Sequence, residues 1–338
     1  MKTRRIKISA LAAAATATIL LGGCVAEDMS FCPPVFEEMM IVRAFESDSG
    51  LDVSHSDRIA DGTLFIFDSS ERLIQVVQVA KNEMGIEKAL PLPAGVKEGD
   101  EIYISAWGNV NDNMEARSDY QLGEPMSAQF LTLRPDVDHN GYELPPGGEL
   151  FFGLHKMVVG HADGDDTAIQ IPGRRSTDPD IVRITHTIPI SQVDARLAVT
   201  VIGLEERDAD LYHFLMEGRN NVYAFDGTVL GGVDPRQIYG HGVFNGAGQL
   251  VFREPYRFIP SVDPNNVTLE NSIKVHLMQS DENSSAPPIN ITEEVSNKEP
   301  IVLMKGKTTN VLILFDNGDV SMQVVITEWN EIHQWTII

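Results

Sequence analysis

The apolar runs of this chain are short, and glycine, proline, asparagine and aspartate interrupt them again and again. That rhythm constrains the fold more than any other feature. Thr63 to Asp68, the polar link Ser69 to Arg72 and Leu73 to Val79 read as a β-hairpin, because β-branched and aromatic runs flank a short polar connection. Met39 to Phe45 is a strand ahead of it. Glu101 to Asn109 follows the breakers Pro91, Pro93 and Gly95, with Ile102, Ile104 and Ala106 on one face and Tyr103, Ser105 and Trp107 on the other. Glu149 to Gly153 follows the turn Pro145-Pro146-Gly147-Gly148. Ile181 to Ile190 sets Val182, Ile184, His186 and Ile188 against Arg183, Thr185 and Thr187.

The second half continues with strands at Arg196 to Leu204, Asn221 to Gly227, Ile273 to Met278, Ile301 to Met304, Val311 to Phe315 and Val320 to Thr327. Helix is suggested only at 122–133 and at 204–217, where Leu211, Phe214 and Leu215 have helical spacing. Residues 160–180 and 280–299 read as loops. The pattern predicts an all-β chain of antiparallel sandwiches. Its length accommodates two domains, 39–190 and 191–338. No sharp internal repeat marks the halves as copies.

The N-terminus decides where such a chain resides. Lys2, Arg4, Arg5 and Lys7 precede an apolar run, Ile8 to Leu21, that is too short for a permanent membrane span and has the length of a signal-peptide core. Leu21-Gly22-Gly23-Cys24 resembles the lipobox of bacterial lipoproteins. The resemblance implies a signal peptide over 1–23, removed before Cys24, and a covalent lipid on Cys24 in place of any dissociable cofactor. Several acyl chains together hold a protein effectively permanently. Residues 24–38, acidic and carrying Pro33 and Pro34, read as a lipidated tether. Glu27 and Asp28 resemble the surface-export signal of lipoproteins from Bacteroides-type bacteria, which implies an outer-membrane protein facing the cell surface.

Charge and chemistry exclude other classes. The net charge of −23 becomes −27 once the four basic residues of the leader are gone. So acidic a body repels nucleic acid and anionic lipid. With Cys24 acylated, Cys32 has no partner for an internal disulfide. No nucleophile elbow, phosphate loop or zinc-helix motif occurs, and no catalytic residues or enzyme activity are expected. His155 and His161 are the closest histidine pair with aspartates nearby, and their spacing favours core or surface roles over ligation. Asp136, Asp138 and Asn140 reproduce the opening of a calcium loop. Gly147 stands where the closing Glu belongs, however, and an Asn140-Gly141 hairpin turn explains the motif without metal.

Taken in order, several of these segments resemble one family. They are Asp28 with Cys32-Pro33, Leu64 to Asp68, Ala106-Trp107-Gly108-Asn109, Leu150 to Gly153, Ala195 to Leu204 and Val324 to Trp329. They are similar to the fimbrillin-A-associated anchor proteins, the minor-fimbria anchor lipoproteins of Bacteroides-type bacteria. The resemblance implies two tandem transthyretin-like Greek-key β-sandwiches, a lipid anchor in the outer membrane, and attachment of fimbrillin shaft subunits to the cell. In the related shaft subunits a protease removes the first strand, and a neighbour's C-terminal strand fills the groove. The anchor keeps its N-terminus.

A partner strand would satisfy unpaired backbone groups at such a groove or edge. The residues expected to meet a partner are Val320, Met322, Val324 and Ile326, which alternate along the last strand, and the terminal Trp335, Ile337 and Ile338. The same alternation suits the last strand of the chain's own sandwich. The competing function is surface glycan binding, which would need an exposed aromatic platform. Trp107, Trp329 and Trp335 all lie in apolar contexts that point inward instead.

Overall fold

The computed structural model describes residues 34–47, 49–110, 114–116, 121–133, 135–136, 141–142, 149–172, 180–204, 209–217, 222–230, 237–258, 260–261, 265, 267–268, 272–280, 289–292, 300–317, 319–329 and 331–335. The strands of the first half are β1 (Val35–Phe45), β2 (Asp61–Phe67), β3 (Leu73–Ala80), β4 (Lys88–Ala89), β5 (Glu101–Gly108), β6 (Met114–Ala116), β7 (Phe130–Leu133), β8 (Pro135–Asp136), β9 (Gly141–Tyr142), β10 (Phe151–Val158), β11 (Thr167–Ile171) and β12 (Ile181–Gln192). Those of the second half are β13 (Ala195–Ile202), β14 (Tyr212–Glu217), β15 (Val222–Ala224), β16 (Val229–Leu230), β17 (Gln237–His241), β18 (Val243–Phe244), β19 (Leu250–Phe258), β20 (Lys274–Gln279), β21 (Ile289–Asn290), β22 (Lys307–Asp316) and β23 (Asp319–Glu328). The chain is all-β, with two β-sandwich bodies in tandem.

The first body is one sheet in the order β3-β2-β5-β10-β12-β1-β4, with β11 added to β12. Met40, Val42 and Ala44 of β1, Leu64 and Ile66 of β2, Ile102, Ile104 and Ala106 of β5, and Ile188 and Ile190 of β12 enclose a common core. A single sheet can do this only by folding over on itself. The intervening residues Phe65, Phe67 and Trp107 point the other way, into a separate cluster. That two-sided burial is why Leu64 to Phe67 is apolar at every position. Close approach also matters. Gly153 of β10 lies so near β12 that a Cβ there would stand 1.9 Å from the carbonyl oxygen of Pro189.

The second body stacks the sheet β18-β19-β13-β22-β23 on the sheet β17-β14-β20-β21. Leu197, Val199 and Val201 of β13 and Val311 and Ile313 of β22 face Phe214 and Met216 of β14 and Val275 and Leu277 of β20. The two bodies share one unexpected feature, since each opens with a strand paired in parallel to a later one. β1 runs parallel to β12 over its whole length, and β13 runs parallel to β22. The expectation of antiparallel pairing throughout is corrected there. A period-two pattern places side chains on faces and is silent about strand direction.

The third cluster joins the halves. Tyr223 and Phe225, at and just after β15, pack with Phe65, Phe67 and Trp107 on the outer face of the first sheet. β15 pairs with β7 of the first half. The Tyr223 hydroxyl donates to the Val193 carbonyl at 3.0 Å, and the Trp107 indole N–H donates to Ser105 Oγ at 2.9 Å.

Three local expectations change. Residues 212–217 are a strand, not a helix. Tyr212 to Met216 are buried on both faces, so no alternation of apolar and polar residues marks the strand. In 122–133 there is a single 3-10 turn, Met126–Ala128, followed by β7. Within 160–180 lies β11, whose residues are mostly exposed and so left no apolar signal.

Candidate functional site

β1 has its hydrogen-bonding capacity largely taken up. β12 pairs with every residue from Val35 to Phe45 on one edge. On the other edge β4 pairs with Met39 and Met40. Loop amides complete that edge: Leu90 N donates to the Glu38 carbonyl, Gly85 N to that of Val42 and Val53 N to that of Ala44, each at 2.8 Å, while Ala44 N donates to Ser54 Oγ at 2.9 Å. The side chains alternate between core and surface, and on the outer face Arg183 pairs with Glu37 at 3.0 Å.

β23 is the opposite case. It pairs antiparallel with β22 along its full length, from Asp319 opposite Asp316 to Glu328 opposite Lys307. It ends the sheet, and no strand among the described residues pairs with its outer edge. Val320, Met322 and Val324 are half-buried against the chain's own second core, and Ile326 is 40% exposed. These expected partner-binding residues therefore belong to the last strand of their own sandwich. Its backbone edge is what stays open.

Beyond β23 the chain is pinned down. Trp329 is buried, its indole N–H donates to Glu149 Oε1 of the first half at 3.3 Å, and the Arg196 guanidinium lies over its ring at 4.9 Å. Arg196 Nη1 and Thr308 Oγ1 both donate to the Trp329 carbonyl, at 2.8 and 2.7 Å. His333 N then donates to Asn310 Oδ1 at 3.0 Å, and Gln249 Nε2 to the Trp335 carbonyl at 3.3 Å. Trp335 thus rests against its own sheet, edge-on to His333. Ile337 and Ile338 lie outside the described residues, as do Cys24, the acidic start of the tether, Asp138 and Asn140. Asp136 sits opposite Gly141 in the short β8–β9 pair, so Gly141 is a strand residue and not the centre of the two-residue turn expected at Asn140-Gly141.

Sequence reading missed a second arrangement. His186, on the inward face of β12, is fully buried between two carboxylates. Its Nδ1 lies 2.7 Å from Asp166 Oδ2 and its Nε2 2.7 Å from Glu38 Oε2. Burial disfavours its charge, but the bonds to Glu38 and Asp166 outweigh that and raise its pKa. His155 stands beside it, ring centroids 6.2 Å apart, with a pKa lowered by burial. His155 comes close to His186 and Asp166, while His161 is exposed. The available signal was a histidine in phase with Ile184 and Ile188 on an otherwise apolar face.

Comparison with known proteins gives these features a context. Residues 45–335 match the family model of the fimbrillin-A associated anchor proteins Mfa1 and Mfa2. Over 95 residues the chain is 28% identical to the major fimbrium anchoring subunit FimB of Porphyromonas gingivalis, an alignment spanning 28% of this chain and 30% of that one. The fold is similar to that of the fimbrial anchor protein Mfa2 from Porphyromonas gingivalis, with a TM-score of 0.52 at 15% identity over 88% of this chain and 98% of that one. It is also similar to a candidate polysaccharide-binding protein from Bacteroides thetaiotaomicron, with a TM-score of 0.55 at 13% identity over 88% and 98% of the two chains. At such identities the structural likeness speaks to fold alone. The family match spans most of the sequence, and by it this chain belongs to the fimbrillin-A associated anchor proteins.

Proposed function

We propose that this chain is a surface lipoprotein, held in the outer membrane by lipid on Cys24, that anchors a fimbria by accepting a fimbrillin shaft subunit along the free edge of β23. The observation that carries this reading is the contrast between the strands: among the described residues β1 has a partner on both edges, and β23 has one on a single edge. An added strand would gain main-chain hydrogen bonds along β23. Of the described residues expected to meet the partner, Ile326 is the most exposed, while Val320, Met322 and Val324 support the edge from beneath. Trp335, Ile337 and Ile338 would extend the contact. The two sandwiches, 39–190 and 191–338, would then divide the work, the first next to the membrane and the second next to the shaft. A glycan-binding reading gains nothing from the tryptophans, because Trp107 and Trp329 are both buried.

The test uses the native host. Wild-type protein should take up a fatty-acid label and co-purify with shaft subunits from solubilised outer membranes. Cys24→Ala should lose the label, and fimbriae should appear in the medium with the variant bound to them. Fimbriae that remain on Cys24→Ala cells would refute the anchoring role.

A further inference from the structure

β12 changes partners part-way along, and the change opens a fork. On the edge away from β1, β11 pairs with residues Ile181 to Thr185 and β10 pairs with Ser191 and Gln192. Neither strand pairs with the stretch between, where Pro189 has no N–H to offer. Three chain segments bring their side chains together at this fork: His155 from β10, Asp166 from the turn before β11 and His186 from β12. Their ligand atoms all lie within 4.8 Å of one another.

The hydrogen bonds show how the cluster is organised. Glu38 of β1 accepts from Gly160 N through Oε1 at 2.7 Å and faces His186 Nε2 through Oε2. Asp166 accepts from Thr187 N through Oδ1 at 3.2 Å, which leaves Oδ2 toward His186 Nδ1. His155 Nε2 is buried and has no hydrogen-bond partner among the described residues. A buried polar atom in that state is costly unless something satisfies it.

We propose that the fork binds one divalent transition-metal ion of the zinc class, through His155 Nε2, His186 Nδ1 and Asp166 Oδ2, with a water as fourth ligand. Two imidazoles and one carboxylate suit zinc, cobalt or nickel better than calcium or magnesium, which prefer all-oxygen shells. Ligand atoms around tetrahedral zinc stand about 3.3 Å apart, so small side-chain rotations close the set. Glu38 then plays the outer role typical of such sites, taking the far ring N–H of a metal-bound histidine and fixing its tautomer. The charges also balance, since one dication meets Glu38 and Asp166 and two neutral rings. Through Glu38 the ion would fasten β1 to β10 and β12. The site rests on its own residues and not on the fimbrial reading.

The experiment uses untagged full-length chain carrying Cys24→Ala, stripped with chelator and titrated with cobalt at neutral pH. Wild-type clusters should give a visible d–d band that saturates at one equivalent, disappears on adding zinc, and is matched by a zinc-dependent rise in Tm. His155→Phe keeps the His186 bonds and removes one ligand; it should weaken cobalt binding roughly 100-fold or more and abolish the Tm response. His155→Gln serves the same purpose if far-UV dichroism shows that the phenyl ring is not accommodated. Glu38→Gln should bind about 10–100-fold more weakly. Absence of saturable cobalt binding in the wild type overturns the proposal, as does a well-folded His155 variant that binds as tightly as the wild type.

Discussion

β1 and β23 are nearly the same length, 11 and 10 residues, yet they occupy opposite situations. β1 is bonded along both edges, buries Met40, Val42 and Ala44 in the first core, and is tied at Glu37 and Glu38. β23 is bonded along one edge and only half covered. Backbone amides and carbonyls demand partners, so a strand filled on both sides cannot accept another, and a strand filled on one side can. Among the described residues the strand nearest the proposed lipid is therefore paired on both edges, and the last strand is paired on one. Under the proposed function, a molecule built this way would terminate assembly in one direction and permit it in the other.

Substitution at matched positions tests that contrast, most strongly first. Val42→Asp puts a charge without a partner into the first core and should cost about 5 kcal/mol or more, read as lost native signal in urea denaturation. Persistence of a native-like transition would mean that β1 is less integral than its pairing indicates. Hydrogen exchange gives an intermediate effect: β1 amides should exchange only through global unfolding, whereas the amides on the outer edge of β23 should exchange by local opening, orders of magnitude faster. Equal protection would erase the difference. The smallest effect belongs to Ile326→Asp, which should change stability by about 1 kcal/mol or less, since that side chain is 40% exposed at the end of the sheet. A larger loss would show that β23 is covered.

The sequence made one of the two strands easy to read and left the other half-hidden. The strand around 320–327 was legible as a strand from its alternation, but the same alternation suited a partner's groove and its own sandwich equally, so its place was not. Whether its outer edge is free is a matter of topology, which side-chain period does not encode. β1 was visible as Met39 to Phe45, but its start at Val35 falls in the acidic stretch that reads as tether, because Glu37 and Glu38 mask it. Glu38 turns out to be a buried partner of His186. The parallel pairings were illegible for the same topological reason. The joint between halves was invisible although the strand at 221–227 was read, because its partner β7 is distant in sequence. In the His186 cluster, each ligand comes from a different element, so no local spacing announces it.

The central claim is that the shaft meets β23 and not β1, and site-specific photocrosslinking tests it most directly. A photoreactive residue is placed at Gln323, exposed on β23, or at Arg43, exposed on β1, in cells assembling fimbriae. Irradiation should join the Gln323 variant to a shaft subunit and leave the Arg43 variant uncoupled. Crosslinks from Arg43 to the shaft, with none from Gln323, would contradict the account.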